Sequence, residues 1–291
     1  MRSLQEEEKT GLERSFEVFV VDNDSHDGSA DMVAECFPGL SLIRSLKNVG
    51  FAAANNMAIP LTSGKYVLFL NPDTLVKGNA LWELTDFMEQ VPDAGVATGR
   101  FVYPDGSFQD GAFRFPNLWM TLLDFFPLSN RLLHSSLNGR YPRHLYSGPF
   151  EIDHPLGACF MVRREVMERA GTFSEDFFLY SEEVDWCWRI KRAGWKIYCC
   201  PGPTIVHYGG RSTSQYENPM YFELHKSRMI FFKKHYSPLF GAANRILVAT
   251  GMLWESFKAL RAAGRGEITR ENSISRIKIC LQILRMAING V

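Results

Sequence analysis

The chain has 291 residues, enough for one large α/β domain with an appendage or for two small domains. Apolar residues make up 46% and charged residues 22%, a globular balance that excludes a disordered or fibrous chain. Lys plus Arg and Asp plus Glu are equal at 32 each, so no long-range field draws nucleic acid, and any bound anion must be held by a local site.

The six cysteines form no CxxC pair and have no metal-ligand spacing, which reads as free or buried thiols in a reducing compartment. Met1 to Lys9 is acidic and lacks the apolar core of a signal peptide. No run of roughly 18 apolar residues is present. A cytoplasmic protein is expected.

In chain order, Phe16 to Val21 is a β-branched and aromatic run that empties into Asp22-Asn23-Asp24-Ser25, the pattern of a buried strand and a polar loop. Ser29 to Phe37 reads as a helix stopped by Pro38-Gly39, Leu40 to Arg44 as a short strand, and Gly50 to Pro60 as a helix of small residues. Lys65 to Leu70 is the clearest strand and runs into Asn71-Pro72-Asp73. Asn79 to Gln90 follows as an amphipathic helix with Leu81, Leu84 and Phe87 on one face. From about 101 to 150 the periodicity fails, and long loops on an acceptor side are expected. Gly157 to Val162 is a strand, Arg164 to Ala170 a helix, Glu182 to Ala193 a helix closed by Gly194, and Lys196 to Cys199 a last strand. Asn244 to Ala263 and Ser273 to Ala287 read as two terminal helices. The alternation predicts an α/β fold with a mostly parallel sheet, residues 1–236 forming a nucleotide-binding domain and 237–291 a helical extension. Ligands on such sheets sit at the carboxyl ends of the strands, where the loops at Asp22, Asn48 and Asp73 lie.

Asp73, just past a strand, can reach a divalent cation (Mg²⁺ or Mn²⁺) bridging a diphosphate, the economical counter-charge in a chain without excess basic residues. Asn71-Pro72-Asp73 is equally a turn in which Asp73 caps the next helix. Asp22 can accept hydrogen bonds from a base or ribose, with Asn23 and Asp24 beside it, and the same loop can simply lead to a Ser29 N-cap. Asn48, Gly50, Phe51 and Asn55 open a helix whose free amides suit a phosphate or ribose, although small-residue helices usually mark close helix–sheet packing. Glu182, Glu183 and Asp185 lie among large aromatics. Crowded carboxylates in an apolar setting have raised pKa values, as a general base requires, while acids in a first helical turn also suit the macrodipole. His207, after a strand, can complete a metal site with Asp73, and a lone histidine is more often structural.

In this order and spacing, Val21-Asp22-Asn23 through Asp27-Gly28-Ser29, Asn48-Val49-Gly50-Phe51, Phe69-Leu70-Asn71-Pro72-Asp73, Gly157-Ala158-Cys159-Phe160-Met161, Phe178 through Asp185 and His207 resemble the family 2 glycosyltransferases of GT-A fold. The rhamnosyltransferase-like branch of bacterial surface polysaccharide synthesis is the nearest match, over about residues 16 to 235. The resemblance implies inverting, metal-dependent transfer from a nucleoside-diphosphate sugar, with dTDP-rhamnose favoured, to a glycan or lipid-linked acceptor. It implies Asp22 on the nucleoside, Asp73 as the surviving aspartate of a DxD-type motif whose first acid is here Asn71, and the catalytic base on Glu183, where many relatives carry Asp. His207 matches a metal-ligand position.

Family members open with an apolar strand and a helix, and here Met1 to Leu4 resembles the tail of that helix. A missing first strand is therefore expected, which would expose a neighbouring strand edge and open the base pocket on one side. A non-catalytic glycan-binding or scaffold protein is the rival reading. A nucleotidyltransferase is poorer, for want of a basic glycine-rich loop. Phe231 to Lys234 and the helix carrying Ile246, Leu247, Met252, Leu253, Trp254 and Phe257 suit peripheral contact with anionic lipid on the inner membrane face, or packing on the protein itself or a dimer mate.

Overall fold

The computed structural model describes residues 14–209 and 217–290. The reading of Met1 to Leu4 as a helix tail lies outside these residues. The strands are β1 (Phe19–Asp22), β2 (Ser41–Arg44), β3 (Tyr66–Leu70), β4 (Thr74–Lys77), β5 (Ala94–Val102), β6 (Phe108–Gln109), β7 (Ala112–Phe113), β8 (Phe150–Glu151), β9 (His154–Pro155), β10 (Cys159–Arg163) and β11 (Lys196–His207). The helices are α1 (Ser29–Cys36), α2 (Phe51–Ala58), α3 (Ala80–Gln90), α4 (Leu118–Phe125), α5 (Asn130–Leu133), α6 (Arg164–Ala170), α7 (Glu182–Arg192), α8 (Glu217–His235), α9 (Pro238–Gly264) and α10 (Arg270–Asn289). Two compact units result. One holds residues up to 114, 142–178 and 182–209, and the other 115–141, 179–181 and 210 onward.

The first unit is built on a seven-stranded sheet with the path β3-β10-β5-β11-β4, carrying β6 on β5 and β8 on β11. The α/β class holds, but the strand directions differ from the expected mostly parallel sheet. Only β5 and β11 pair in parallel within it, β1 and β2 form a separate parallel pair, and the other ladders are antiparallel. β10 enters antiparallel between β3 and β5, and two further strands, β4 and β5, are not among those expected. β4 follows β3 after a turn and joins β11 instead of β3, and β5 is masked by its small residues, Ala94, Gly95, Ala97 and Gly99. Among the described residues β1 has only β2 as ladder partner and β3 only β10, so each carries an unpaired edge.

β11 also outruns its sequence signal. The expected last strand stops at Cys199, yet the register against β5 shifts between Cys199 and Thr204 and the ladder resumes past Pro201-Gly202-Pro203. Leu81, Leu84 and Met88 of α3 close one side of the sheet against Ala94, Ala97 and Met161. Phe69, Phe160, Phe173 and Trp186 pack as an aromatic cluster, with the Phe173–Trp186 centroids 4.6 Å apart.

In the second unit Phe125, Met229, Val248, Met252, Cys280 and Ile283 form a helical core. The stretch expected as loops from 101 to 150 holds β6, β7, α4 and α5, all too short to show a period. Among the described residues no helix is long and apolar enough to cross a membrane.

Candidate functional site

The turn after β3 is fixed locally. Thr74 N–H and Oγ1–H both donate to the Asn71 carbonyl, at 3.2 and 2.6 Å, and Pro72 presets the backbone between them. A strand follows, so Asp73 caps no helix; α3 starts at Ala80, behind Asn79. The antiparallel register of β4 and β11 sets Thr74 opposite His207, and Tyr208 N–H donates to the Asp73 carbonyl at 2.9 Å. Asp73 Oδ2 consequently stands 3.5 Å from His207 Nε2, with side chains only 18% and 11% exposed. The two residues, 134 positions apart in the numbering, are brought together by the second half of β11.

Gln109 was not among the sequence-derived candidates. Its Nε2 lies 3.1 Å from His207 Nδ1, and its Oε1 is buried without a hydrogen-bond partner. The sequence signal was Pro104-Asp105-Gly106-Ser107, a turn with Gly106 at φ 83° that folds β6 back on β5 and sets Gln109 opposite Phe101. Phe101 in turn packs edge-on against the His207 ring.

The acids of α7 divide sharply. Tyr180 and Ser181 hold left-handed backbone, φ 69° and 65°, just before the helix. Such conformations cost on the order of 1 kcal/mol or more and cluster where a site dictates geometry. Glu182 is 5% exposed and its Oε2 has no hydrogen-bond partner. Burial, reinforced by Glu183, pushes its carboxyl well above the ordinary range. Glu183 keeps some solvent access, yet desolvation raises it to about 7. Asp185, fully buried, instead accepts from Arg189 Nε at 2.9 Å, and the same guanidinium donates to the Ala170 and Thr172 carbonyls. That pairing is structural.

Glu183 lies against Gly157, where an added Cβ would come within 3.4 Å of its Cδ. The next carbonyl, Ala158, accepts the Asn71 N–H at 2.8 Å. A single short stretch of backbone thus separates Glu183 from the turn that carries Asp73.

At the end of β1, Asp22 Oδ2 accepts from Ser25 N–H at 3.3 Å, and Asp24 sits at φ 68°. Asp22, Asp24, Ser25, Gly28, Arg44 and Ser45 line an open cleft of about 490 Å³. Asn23 and Asn48 are engaged with each other: Asn23 Nδ2 donates to Asn48 Oδ1 at 3.0 Å, and Val49 N–H donates to Asn23 Oδ1 at 2.9 Å. Gly50, at φ 86°, admits no side chain, since a Cβ would stand 2.5 Å from the Phe178 carbonyl that accepts the Phe51 N–H. Asn55 bonds back to the Phe51 carbonyl within its own helix. Of this group, Asp22 and Asp24 face the cleft, while Asn23, Asn48 and Gly50 brace its neighbouring loop.

These features define an α/β fold with acids and an imidazole at its strand ends, and comparison with known proteins gives the class. The sequence profile of glycosyl transferase family 2 matches residues 3–171, and the chain belongs to that family. Rhamnosyltransferases are among its relatives. It is 25% identical over 274 residues to the N-acetylglucosaminyl-diphospho-decaprenol L-rhamnosyltransferase of Mycobacterium tuberculosis, covering 87% of this chain and 86% of that protein. It is 26% identical over 167 residues to rhamnosyltransferase WbbL of Escherichia coli, covering 55% of this chain and 61% of that one. Its fold is shared with the mannosyltransferase PcManGT from Pyrobaculum calidifontis, solved with GDP-Man and Mn²⁺, at TM-score 0.51 and 17% identity over 99% of this chain and 82% of that one.

Proposed function

We propose that the protein transfers rhamnose from dTDP-rhamnose, with inversion, to a lipid-linked glycan acceptor. The observation that carries the reading is Glu183, an acid raised to about 7 with some solvent access, one backbone stretch away from Asp73. The relatives support the sugar and the acceptor class, since the M. tuberculosis protein is named for both.

Glu183 accepts the proton of the acceptor hydroxyl as that oxygen bonds the anomeric carbon. The bond from that carbon to the diphosphate breaks, and its electron pair leaves with the nucleotide. A single displacement inverts the anomeric centre. Glu182, held protonated by its burial, leaves Glu183 as the acid that ionises near neutrality. Asp185 keeps the helix in place through Arg189.

Asp73 and His207 fit a divalent cation, Mg²⁺ or Mn²⁺: a carboxylate and an imidazole stand side by side, with a buried amide behind the ring. Among the described residues no group of three or more His, Cys, Asp or Glu could hold a metal, so a two-residue site relies on the donor's phosphates for further ligands. The bound cation would neutralise the diphosphate leaving group. Asp22 and Asp24 receive the nucleoside in the cleft they line. Nucleotide release from dTDP-rhamnose with a lipid-linked acceptor tests the reading; Asp73→Ala and His207→Ala should each lower kcat/KM about 100-fold, and activity unchanged by both would overturn it.

Peripheral membrane contact is part of the same proposal and is favoured by α9. Leu239, Ile246, Leu253 and Leu260 recur every seven residues and are 81%, 64%, 57% and 59% exposed. The exposed charges on this helix are Lys258, ion-paired with the partly exposed Glu255, and Arg261. An apolar stripe flanked by cations suits an anionic bilayer surface. Co-sedimentation with phosphatidylglycerol vesicles should fall severalfold for Leu253→Asp, and equal binding by the variant would exclude this face.

A further inference from the structure

We infer that Gln109 is a positioning residue that selects the metal-binding tautomer of His207. The inference rests on the reading of Asp73 and His207 as a cation site. His207 points Nε2 toward Asp73 and Nδ1 toward Gln109, at 3.5 and 3.1 Å. For Nε2 to offer its lone pair to a cation, the ring proton must sit on Nδ1 and needs an acceptor there. Among the described partners of Nδ1 the Gln109 amide is the one within hydrogen-bond distance.

An amide can meet that need in either orientation. With Nε2 toward the ring, it donates to Nδ1 and selects the tautomer with its proton on the Asp73 side. Turned about its Cγ–Cδ bond, it presents Oε1 to Nδ1–H and frees His207 Nε2 for the cation. Among the described residues the Oε1 atom is buried without a partner, and the residue is 9% exposed, so this oxygen is available to turn toward Nδ1–H. The turn forfeits only the bond to the imidazole and remakes it with opposite polarity. Placement is secured by the β5–β6 hairpin, which sets Gln109 opposite Phe101, the ring that also packs on His207. One hairpin therefore fixes both the edge contact and the hydrogen-bond partner of the imidazole.

The account distinguishes an acceptor from a mere filler of space. Gln109→Glu retains an acceptor oxygen and can serve Nδ1–H, whereas Gln109→Leu has similar bulk and none. Calorimetry of Mn²⁺ binding to the full chain with dTDP present should show about a tenfold weaker Kd for Gln109→Leu and a change under threefold for Gln109→Glu. Long-range ¹⁵N–¹H spectra with Mg²⁺ and dTDP should place the His207 proton on Nδ1 in the wild type and in Gln109→Glu. Equal Mn²⁺ affinity in the Leu variant, equal loss in both variants, or a wild-type proton on Nε2 overturns the inference. If the Leu variant does not fold, the wild-type and Glu spectra decide. His207→Ala separates the two levels: if it binds Mn²⁺ as the wild type does, the cation site fails and Gln109 with it. If it loses Mn²⁺ while Gln109→Leu keeps it, only the Gln109 inference fails.

Discussion

The acids in the first turn of α7 carry the same chemistry to opposite ends. Among the described residues Glu182 and Glu183 have no cation partner, and burial drives both carboxyls upward. Asp185, fully buried, has Arg189 at 2.9 Å. Three acids within four residues thus divide into two with raised carboxyls and one held in an ion pair. The difference teaches that pairing, more than residue type or spacing, decides what a buried carboxylate does.

The largest effect that would break this contrast is on Glu183. Glu183→Gln should lower kcat by roughly 1,000-fold or more while the fold is retained, because a general base is lost without an ion pair being broken. Loss of less than tenfold would remove Glu183 from the role. Asp185→Asn should act in the opposite sense. It leaves Arg189 without its charge partner and should cost about 3 kcal/mol of stability in denaturant unfolding, while kcat per folded molecule stays within about threefold. A large kcat loss in a fully folded Asp185→Asn protein would erase the distinction between the paired acid and its two neighbours.

Glu182→Gln sharpens it further, by about 1–2 kcal/mol. The folded-state pKa of Glu182 is raised above the 4.5 of an ordinary glutamate. The folded protein therefore holds this proton more tightly than the unfolded chain, and the wild type loses stability as pH climbs above about 4.5. Gln does not titrate, so thermal unfolding at pH 8 should favour the variant by a few degrees, with the advantage vanishing near pH 4. A constant difference across that range would mean that Glu182 is not buried in protonated form.

Local signals carried much of the fold. β1, β2, β3, β10, α1, α2, α3 and α7 follow β-branched runs and helical periods that a reader of the chain can find. β4 and β11 show what such signals miss. Pro201-Gly202-Pro203 announces a stop, but tertiary pairing across a bulge overrides it and carries the strand on to His207. β5 is central and buried at every position but Arg100, so it has no alternation to detect, and its small residues imitate a loop. For the site, Asp73 and His207 could be named from their strand-end positions, and the pairing of Asp185 with Arg189 lay open at i,i+4 spacing. Gln109 could not be named, because only the hairpin register brings an uncharged side chain to an imidazole 98 residues away.

The central claim, that Glu183 is the base and ionises near neutrality, is tested most directly by the pH dependence of kcat/KM. Release of dTDP from dTDP-rhamnose, followed with Mn²⁺ and a lipid-linked acceptor from pH 5 to 9, should rise about tenfold per unit below pH 7 and level off above it. The midpoint should coincide with the value of about 7 to which burial raises Glu183. Glu183→Gln should abolish the rise along with the activity. A profile flat from pH 5, or the same limb persisting in Glu183→Gln, would contradict the account.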